Sequence, residues 1–571
     1  MKYLPSQIIA LLQTNKAKRD LRILLKFIVV LLTLVTVYSI LFHVIMVHHE
    51  GRSYSWVAGV YWTLVTMSTL GFGDIIFNTD LGLIFSIVVL LSGVVFLLVM
   101  LPFTFIQFFY APWLEAQAKS RTIRTLPENT ADHVIIVGID PICLSLIGKL
   151  KQYGRTCYLV VGDQQDAQGL HEQGFKVVLG ELDDIETYRR IQADKAALIV
   201  VNHTEDKINT NIVYTLRELC EKTPIVSNAS DDDSVDILEL AGSSHVYQFT
   251  KMLGQSLARR VLGVSMRANI IGRFDDLLIA EVPAMRSSLE GKTILESRLR
   301  ELTGITVAGV WERGKYKVPL PDTMISASTV LVLAGSDQQL AVYDETFGGY
   351  AVSEAPVLIL GGGRVGRAAA DTLKARDVAY KIVEKNVRAI KGATMYSEDE
   401  YVHGSAADLD TLRKAGIDIA PSVIVTTHDD DMNIYLTIYC RRLRPDIQII
   451  TRATLDRNIS KLHRAGADLV MSYASLGVTS ITNYLLQDNT LMVSEGLNIF
   501  KMPAPKKLVG KTLEQSNIRQ KTGCNVIAID NKGQLNINPS PGSSIAPDTE
   551  LIMIGNAEAE QCFMGSFTNG D

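Results

Sequence analysis

The sequence predicts a multidomain chain: an all-α membrane region of two spans with a re-entrant loop between them, followed by two α/β Rossmann-like domains, each with a small α+β C-terminal lobe. Three observations predict it. Two long apolar runs lie near the N-terminus, a short apolar segment ending in glycines separates them, and from about residue 131 a strand and helix alternation occurs twice. At roughly 100 to 200 residues per domain, the 571 residues amount to about three to five units. With 56 Lys+Arg against 61 Asp+Glu, a net charge of -5 and no long basic run, nucleic acid is excluded as the main partner. The six Cys, at 143, 157, 220, 440, 524 and 562, have neither CxxC spacing nor the density of a disulfide scaffold, so the bulk of the chain reads as reduced and cytosolic. Mean hydropathy is nevertheless positive, and the excess sits at the front.

Residues 21–47 (LRILLKFIVVLLTLVTVYSILFHVIMV) are long enough to span a bilayer, with one inner charge, Lys26, that can snorkel to the interface. Residues 81–109 (LGLIFSIVVLLSGVVFLLVMLPFTFIQFF) carry no charge and can span with tilt. The first run is too long for the apolar core of a signal peptide, and no small-residue cleavage site follows it. Lys2, Lys16, Lys18, Arg19 and Arg22 precede the first span, and Lys119, Arg121 and Arg124 follow the second. The connecting loop holds only Arg52. Basic flanks stay on the cytoplasmic side, so both termini and everything after the spans are expected in the cytoplasm of a multi-pass protein of the cell (inner) membrane, with the lipid bilayer as its surroundings. This gives a cytosolic segment at 1–20, a membrane region at 21–118 and a linker at 119–130.

Residues 55–74 are too short to cross and too apolar for an ordinary loop. Non-helical backbone at membrane depth is tolerated only where it is buried in protein or lines a wet cavity, so a short helix running into Gly-x-Gly reads as re-entrant. Glycines at alternate positions, Gly71 and Gly73, permit backbone conformations in which successive carbonyls point one way, and the Thr69 hydroxyl can add a further oxygen. With Trp62 and Thr66 before them, Thr69, Leu70, Gly71, Phe72, Gly73 and Asp74 resemble the filter of the potassium-channel family, Thr-Val-Gly-Tyr-Gly-Asp. An interfacial hairpin with a glycine turn would leave that pattern unexplained. Leu70 stands where Val is usual and Phe72 where Tyr is usual. Phe72 lacks the hydroxyl that would tie the filter to the pore helix, so this departure bears on filter rigidity more than on K⁺ preference. The resemblance implies K⁺ as the permeant ion, and because four such loops make one filter ring it implies a homotetramer. It also makes Gly93, mid-way along the second span, a gating hinge, against the reading of a helix-packing glycine. Leu97, one turn on, would then form an apolar constriction on the same side, or be a core leucine. Pro102 is expected to kink the inner end. No Arg-rich span of a voltage sensor is present.

Beyond residue 131, short β-branched runs alternate with helical segments, which argues for βαβ units and a parallel sheet. In the first copy, residues 133–138, 158–161, 176–179, 197–201 and 224–226 read as strands. In the second, residues 357–361, 380–383, 422–426 and 447–451 do. Residues 291–335 and 510–555 then line up segment by segment as smaller units, so the repeat is internal evidence independent of any family. The combination resembles tandem RCK domains (regulators of potassium conductance) behind a two-span pore, which implies a ligand-gated channel with a cytosolic gating ring. The expected bounds are 131–270 and 271–350 for the first Rossmann and C-terminal lobes, and 355–487 and 488–571 for the second.

In the second copy, Gly361, Gly363 and Gly366 form GxGxxG between a strand and a helix, with Glu384 about 20 residues on, at the end of the next strand. The glycines allow a tight turn and close backbone approach, the helix N-terminus attracts pyrophosphate, and the carboxylate can bind ribose hydroxyls. Arg364 can add a phosphate contact. Glu384 favours a free 2′-hydroxyl, hence NAD or ADP/ATP over NADP, as a regulatory ligand; an empty structural turn is the other reading. In the first copy, Asp140 and Cys143 replace the second and third glycines after Gly138, and a carboxylate there repels pyrophosphate. Asp140, Asp163, Glu181 and Asp184 fall near carboxyl ends of strands and can instead gather around Ca²⁺ or Mg²⁺, unless they are solvated caps. Asp429, Asp430 and Asp431 open a helix and read as capping residues, the other reading being a cation held beside phosphates. No Ser-His-Asp, zinc-spaced or acid-pair signature stands out, so the chain reads as a non-enzyme. The competing function is a non-conducting, membrane-anchored nucleotide sensor or regulator of potassium uptake.

Overall fold

The computed structural model describes residues 15–107, 123–261, 268–285, 287–312, 315–348, 354–386, 398–486, 490–494 and 497–568. Lys2, the end of the second span at 108–109, and Lys119 and Arg121 of the linker lie outside them. The chain divides into two compact units, Met1–Ile123 and Arg124–Asp571.

In the first unit, α1 (Asn15–His48) runs for 34 residues, ample at about 1.5 Å per residue for a hydrocarbon layer of about 30 Å. The short helix α2 (Trp56–Met67) begins where Ser55 accepts the Ala58 N–H, and α3 (Asp80–Gly93) where Thr79 accepts the Gly82 N–H. After Gly93 the second span widens into a π-helix over Val94–Met100 and returns to α geometry at Leu101–Phe105. Pro102 accounts for the change. It lacks an N–H, and in a regular helix its ring would strike the carbonyl four residues earlier, so the preceding turn opens. A cluster of rings holds the helices together: Trp62 lies 5.2 Å from Phe42, 5.1 Å from Phe77 and 5.6 Å from Phe85, centroid to centroid.

In the second unit, β1 (Val134–Val137), β2 (Cys157–Val161), β3 (Val177–Leu179), β4 (Leu198–Val201), β5 (Ile225–Asn228) and β6 (His245–Tyr247) form a parallel sheet in the order 3-2-1-4-5-6. Every residue of β1 and β4 is buried, as a strand covered on both faces requires. The first C-terminal lobe follows, with β7 (Asn269–Phe274), β8 (Leu277–Pro283), β9 (Thr306–Glu312), β10 (Lys315–Lys317) and β11 (Thr329–Gly335) in the order 7-8-11-9-10. Its sheet begins at Asn269, two residues ahead of the expected lobe boundary.

The second copy repeats the arrangement. Strands β12 (Val357–Leu360), β13 (Tyr380–Glu384), β14 (Tyr401–His403), β15 (Ser422–Val425), β16 (Gln448–Ala453) and β17 (Leu469–Ser472) are ordered 14-13-12-15-16-17. Strands β18 (Thr490–Ser494), β19 (Leu497–Pro503), β20 (Asn525–Asn531), β21 (Gln534–Ile537) and β22 (Thr549–Asn556) are ordered 18-19-22-20-21. Both Rossmann sheets thus have the doubly wound order of dinucleotide-binding folds, and the two C-terminal sheets share one topology.

The copies complete each other. Helix α4 (Pro141–Gln152) of the first Rossmann lobe packs against α7 (Tyr473–Leu485), whose Val478 and Ile481 belong to the first lobe's core. Reciprocally, α5 (Phe249–Ala258) packs on α6 (Arg364–Lys374) and sends Leu253 and Leu257 into the second lobe's core. A Cβ on Gly254 would lie 2.4 Å from the Val365 carbonyl oxygen, so this glycine is what lets α5 and α6 approach. The C-terminal sheets share a core as well, with Ile279 and Val332 against Ile499 and Ile552. The tandem repeat is therefore an intramolecular pseudo-dimer.

Candidate functional site

In the loop after α2, backbone hand alternates. Thr69, Gly71 and Gly73 have φ of +64°, +50° and +74°, while the residues between them stay negative. Alternating hand is the backbone pattern that allows successive carbonyls to face one side, as an oxygen-lined ion path requires. Thr69 holds the left-handed region despite its Cβ, strain of the order of 1–3 kcal/mol that such sites store. The outer end of the loop is tied to α2. Trp62 Nε1 donates to the Ile75 carbonyl at 3.1 Å, and the Tyr61 hydroxyl lies near the Asp74 carboxylate. The Trp62 bond supplies a tether that Phe72 does not. Tyr61 escaped sequence reasoning, since only its place beside Trp62 signals it. Glu50 braces the loop's exit, accepting the Asn78 and Thr79 N–H groups at 2.8 Å each and the Thr79 hydroxyl at 2.9 Å. Leu70 and Phe72 are 63% and 65% exposed.

Gly93 is buried, and a Cβ there would lie 2.3 Å from Met67 Cα, so α3 meets the end of α2 backbone to backbone. Leu97 sits in the π-helix and packs on the ring cluster.

The second Rossmann turn is open. Gly361 adopts φ +115°, and a Cβ on Gly366 would lie 1.9 Å from the Gly361 carbonyl oxygen, so α6 rests directly on the strand end. Gly363 caps α6 without a side-chain hydrogen bond, and a Cβ on it would meet nothing within 4 Å. The first N–H groups of α6 thus keep their attraction for a phosphate. Glu384, half-buried at the end of β13, accepts the Gly362 N–H at 2.7 Å and the Asn386 N–H at 2.8 Å, which fixes its carboxylate beside the turn. Arg364, expected to reach phosphate, instead lies 3.2 Å from Asp231 of the first copy, both side chains more than half exposed. Thr426, missed in the sequence, buttresses the turn by donating to the Gly361 carbonyl at 2.8 Å. Asp429 caps the helix Asp430–Leu443. Asp430 does more: it is buried and takes the Thr454 and Leu455 N–H groups at 2.7 and 3.1 Å and the Asn458 amide at 2.8 Å.

The first Rossmann turn is closed. The Asp140 carboxylate accepts the Ile142 and Cys143 N–H groups at 2.7 and 3.1 Å, the same helix-start donors that a pyrophosphate would need. The Tyr473 hydroxyl of the second copy lies near that carboxylate. Burial pushes the Asp140 pKa up against the pull of these hydrogen bonds. The expected metal cluster is not formed. Asp140, Asp163 and Asp184 cap three different helices, Glu181 is exposed, and among the described residues no group of three or more His, Cys, Asp or Glu is placed to hold one ion. Strand ends share an edge of the sheet, but each of the three aspartates is spent on its own helix.

The ion-channel family matches residues 26–110, the TrkA-N domain residues 134–248 and 357–473, and the TrkA-C domain residues 277–348 and 498–564. Over nearly its whole length the chain is similar to the GsuK channel, with 38% identity, 96% of this chain and 99% of that chain covered, and a TM-score of 0.60. The chain belongs to the two-span potassium channels with tandem RCK domains. The structure titled "GsuK channel bound to NAD" is 37% identical to this RCK-channel chain over 96% of it and 99% of GsuK, with a TM-score of 0.58. A relative from Methanocaldococcus jannaschii, "Probable potassium channel protein 2", is 27% identical over 217 residues, 35% of this chain. The chain spans 63% of that relative's length.

Proposed function

We propose that this chain forms a K⁺-selective channel, a homotetramer in the cell membrane whose pore is opened or closed by NAD, or another adenine nucleotide, bound at the second Rossmann turn. The observation that carries it is the alternation of backbone hand at Thr69, Gly71 and Gly73, in a loop tied to α2 by Trp62. The exposure of Leu70 and Phe72 in one subunit supports assembly, since apolar side chains beside a filter require neighbours. The filter residues are Thr69, Leu70, Gly71, Phe72, Gly73 and Asp74, with Gly93 and Leu97 at the gate. Gly361, Gly363, Gly366 and Glu384 form the nucleotide site. There the N-terminus of α6 attracts phosphate, the Glu384 carboxylate accepts ribose hydroxyls, and Arg364 is available once it leaves Asp231. Basic residues flanking the spans, Arg124 among them, support cytoplasmic termini and a cytoplasmic sensor.

Single-channel recording of the purified protein in planar bilayers under a K⁺/Na⁺ gradient tests this reading. The expected result is a reversal potential near that of K⁺ and an open probability that changes when NAD is added on the sensor side. Silence from protein shown to be tetrameric, with and without NAD, would overturn it.

A further inference from the structure

A cavity of about 190 Å³ lies in the second unit, at the joint between the first C-terminal lobe and the second Rossmann lobe. Strands β7, β8, β9 and β11 wall one side, β17 and α7 the other, and the end of α5 closes it. Most charges around it are matched within the fold. Arg260 gives Glu281 two hydrogen bonds, of 2.9 and 2.6 Å, with both side chains 8% exposed. Asp468 is held by Arg441 at 2.7 Å and by the Ile449 N–H at 2.7 Å. His463 Nδ1 meets the Ala467 carbonyl at 3.1 Å. One charge is left over. Arg259 lines the cavity, is exposed, and its guanidinium has no partner among the described residues. Trp311 lines the same cavity with an indole N–H that is buried and unpartnered among the described residues. Val330 and Leu476 add apolar wall.

We propose that this cavity binds a small organic monoanion, a carboxylate on a compact apolar body, with Arg259 taking the carboxylate and Trp311, Val330 and Leu476 the body. Size sets the class. An apolar protein cavity of about 150 Å³ takes up benzene, so this one has room for a ring and a carboxylate. It lies below the range, from about 300 Å³, of drug-sized ligand pockets, and a dinucleotide does not fit. A single unpaired guanidinium favours one negative charge, and a planar carboxylate matches its fork. A ligand seated there touches both lobes and so ties the joint between them.

Ligand-observed NMR on the purified full-length protein tests the assignment, with benzoate as the probe and benzamide as its neutral isostere. Benzoate is expected to bind saturably, with benzamide at least about tenfold weaker for want of the charge-assisted pair. Arg259→Gln, on an exposed side chain, is expected to lower benzoate affinity about tenfold while leaving the melting temperature unchanged. Excess NAD is expected not to displace benzoate, because its site is elsewhere. Absence of saturable benzoate binding would overturn the proposal. So would equal binding of benzamide, an unaltered affinity in Arg259→Gln, or displacement by NAD.

Discussion

Gly363 and Gly366 make opposite demands on one turn. A Cβ on Gly366 would fall 1.9 Å from the Gly361 carbonyl oxygen, a distance only a backbone shift can relieve. A Cβ on Gly363 would meet nothing within 4 Å, and its φ of −68° suits any residue. Gly366→Ala is therefore expected to move α6 off the strand end, lowering both the melting temperature and NAD affinity, the latter at least about tenfold for a loss of 1.4 kcal/mol or more. Gly363→Ala is expected to leave the melting temperature unchanged and weaken NAD only, since the methyl occupies the space the phosphate would enter. Thermal melts and NAD titration of the two variants separate the cases. Equal NAD affinity in all three proteins would show that the nucleotide does not approach this turn.

At the scale of elements, the joint between the copies holds a titrating group. Burial raises the Asp140 pKa, so the folded chain keeps that proton to higher pH than the unfolded chain does. Its contribution to stability is present at low pH and is lost as pH rises above about 4, the unfolded value, and through the raised one. Asn at this position caps a helix as well as Asp does and does not titrate. Melting temperatures of wild type and Asp140→Asn are expected to diverge in favour of Asn as pH rises above about 4; a constant gap would show that the buried carboxylate carries no penalty. The strands beside this joint were legible as uninterrupted apolar runs, VIIV in β1 and VLIL in β12. β6, β14 and β17 were missed, because each has only three or four residues and is partly exposed, leaving no periodicity to detect. The glycine turn and Glu384 were legible because their chemistry is local in sequence. The approach of Tyr61 to Asp74 and of Tyr473 to Asp140 was not, because each depends on packing between separate elements. The π-helix before Pro102 was read as a kink, the same steric conflict resolved by widening.

Across the whole molecule, duplication has produced two Rossmann lobes that share cores but not chemistry. The second turn leaves the first N–H groups of α6 without a side-chain cap, while the first spends the matching donors of α4 on Asp140. Titration calorimetry of the full-length protein with NAD is therefore expected to give one site per chain, four in the proposed tetramer. Two sites per chain would show that Asp140 releases its helix and that the closed turn opens. One site per chain also fixes how selective the sensor must be. Carrying a pore from 1:99 to 99:1 takes about 5.5 kcal/mol of differential binding. Four equal sites divide that into about 1.4 kcal/mol each, a tenfold preference for one state, which is within reach of a single ribose contact at Glu384 made or lost as the lobes shift.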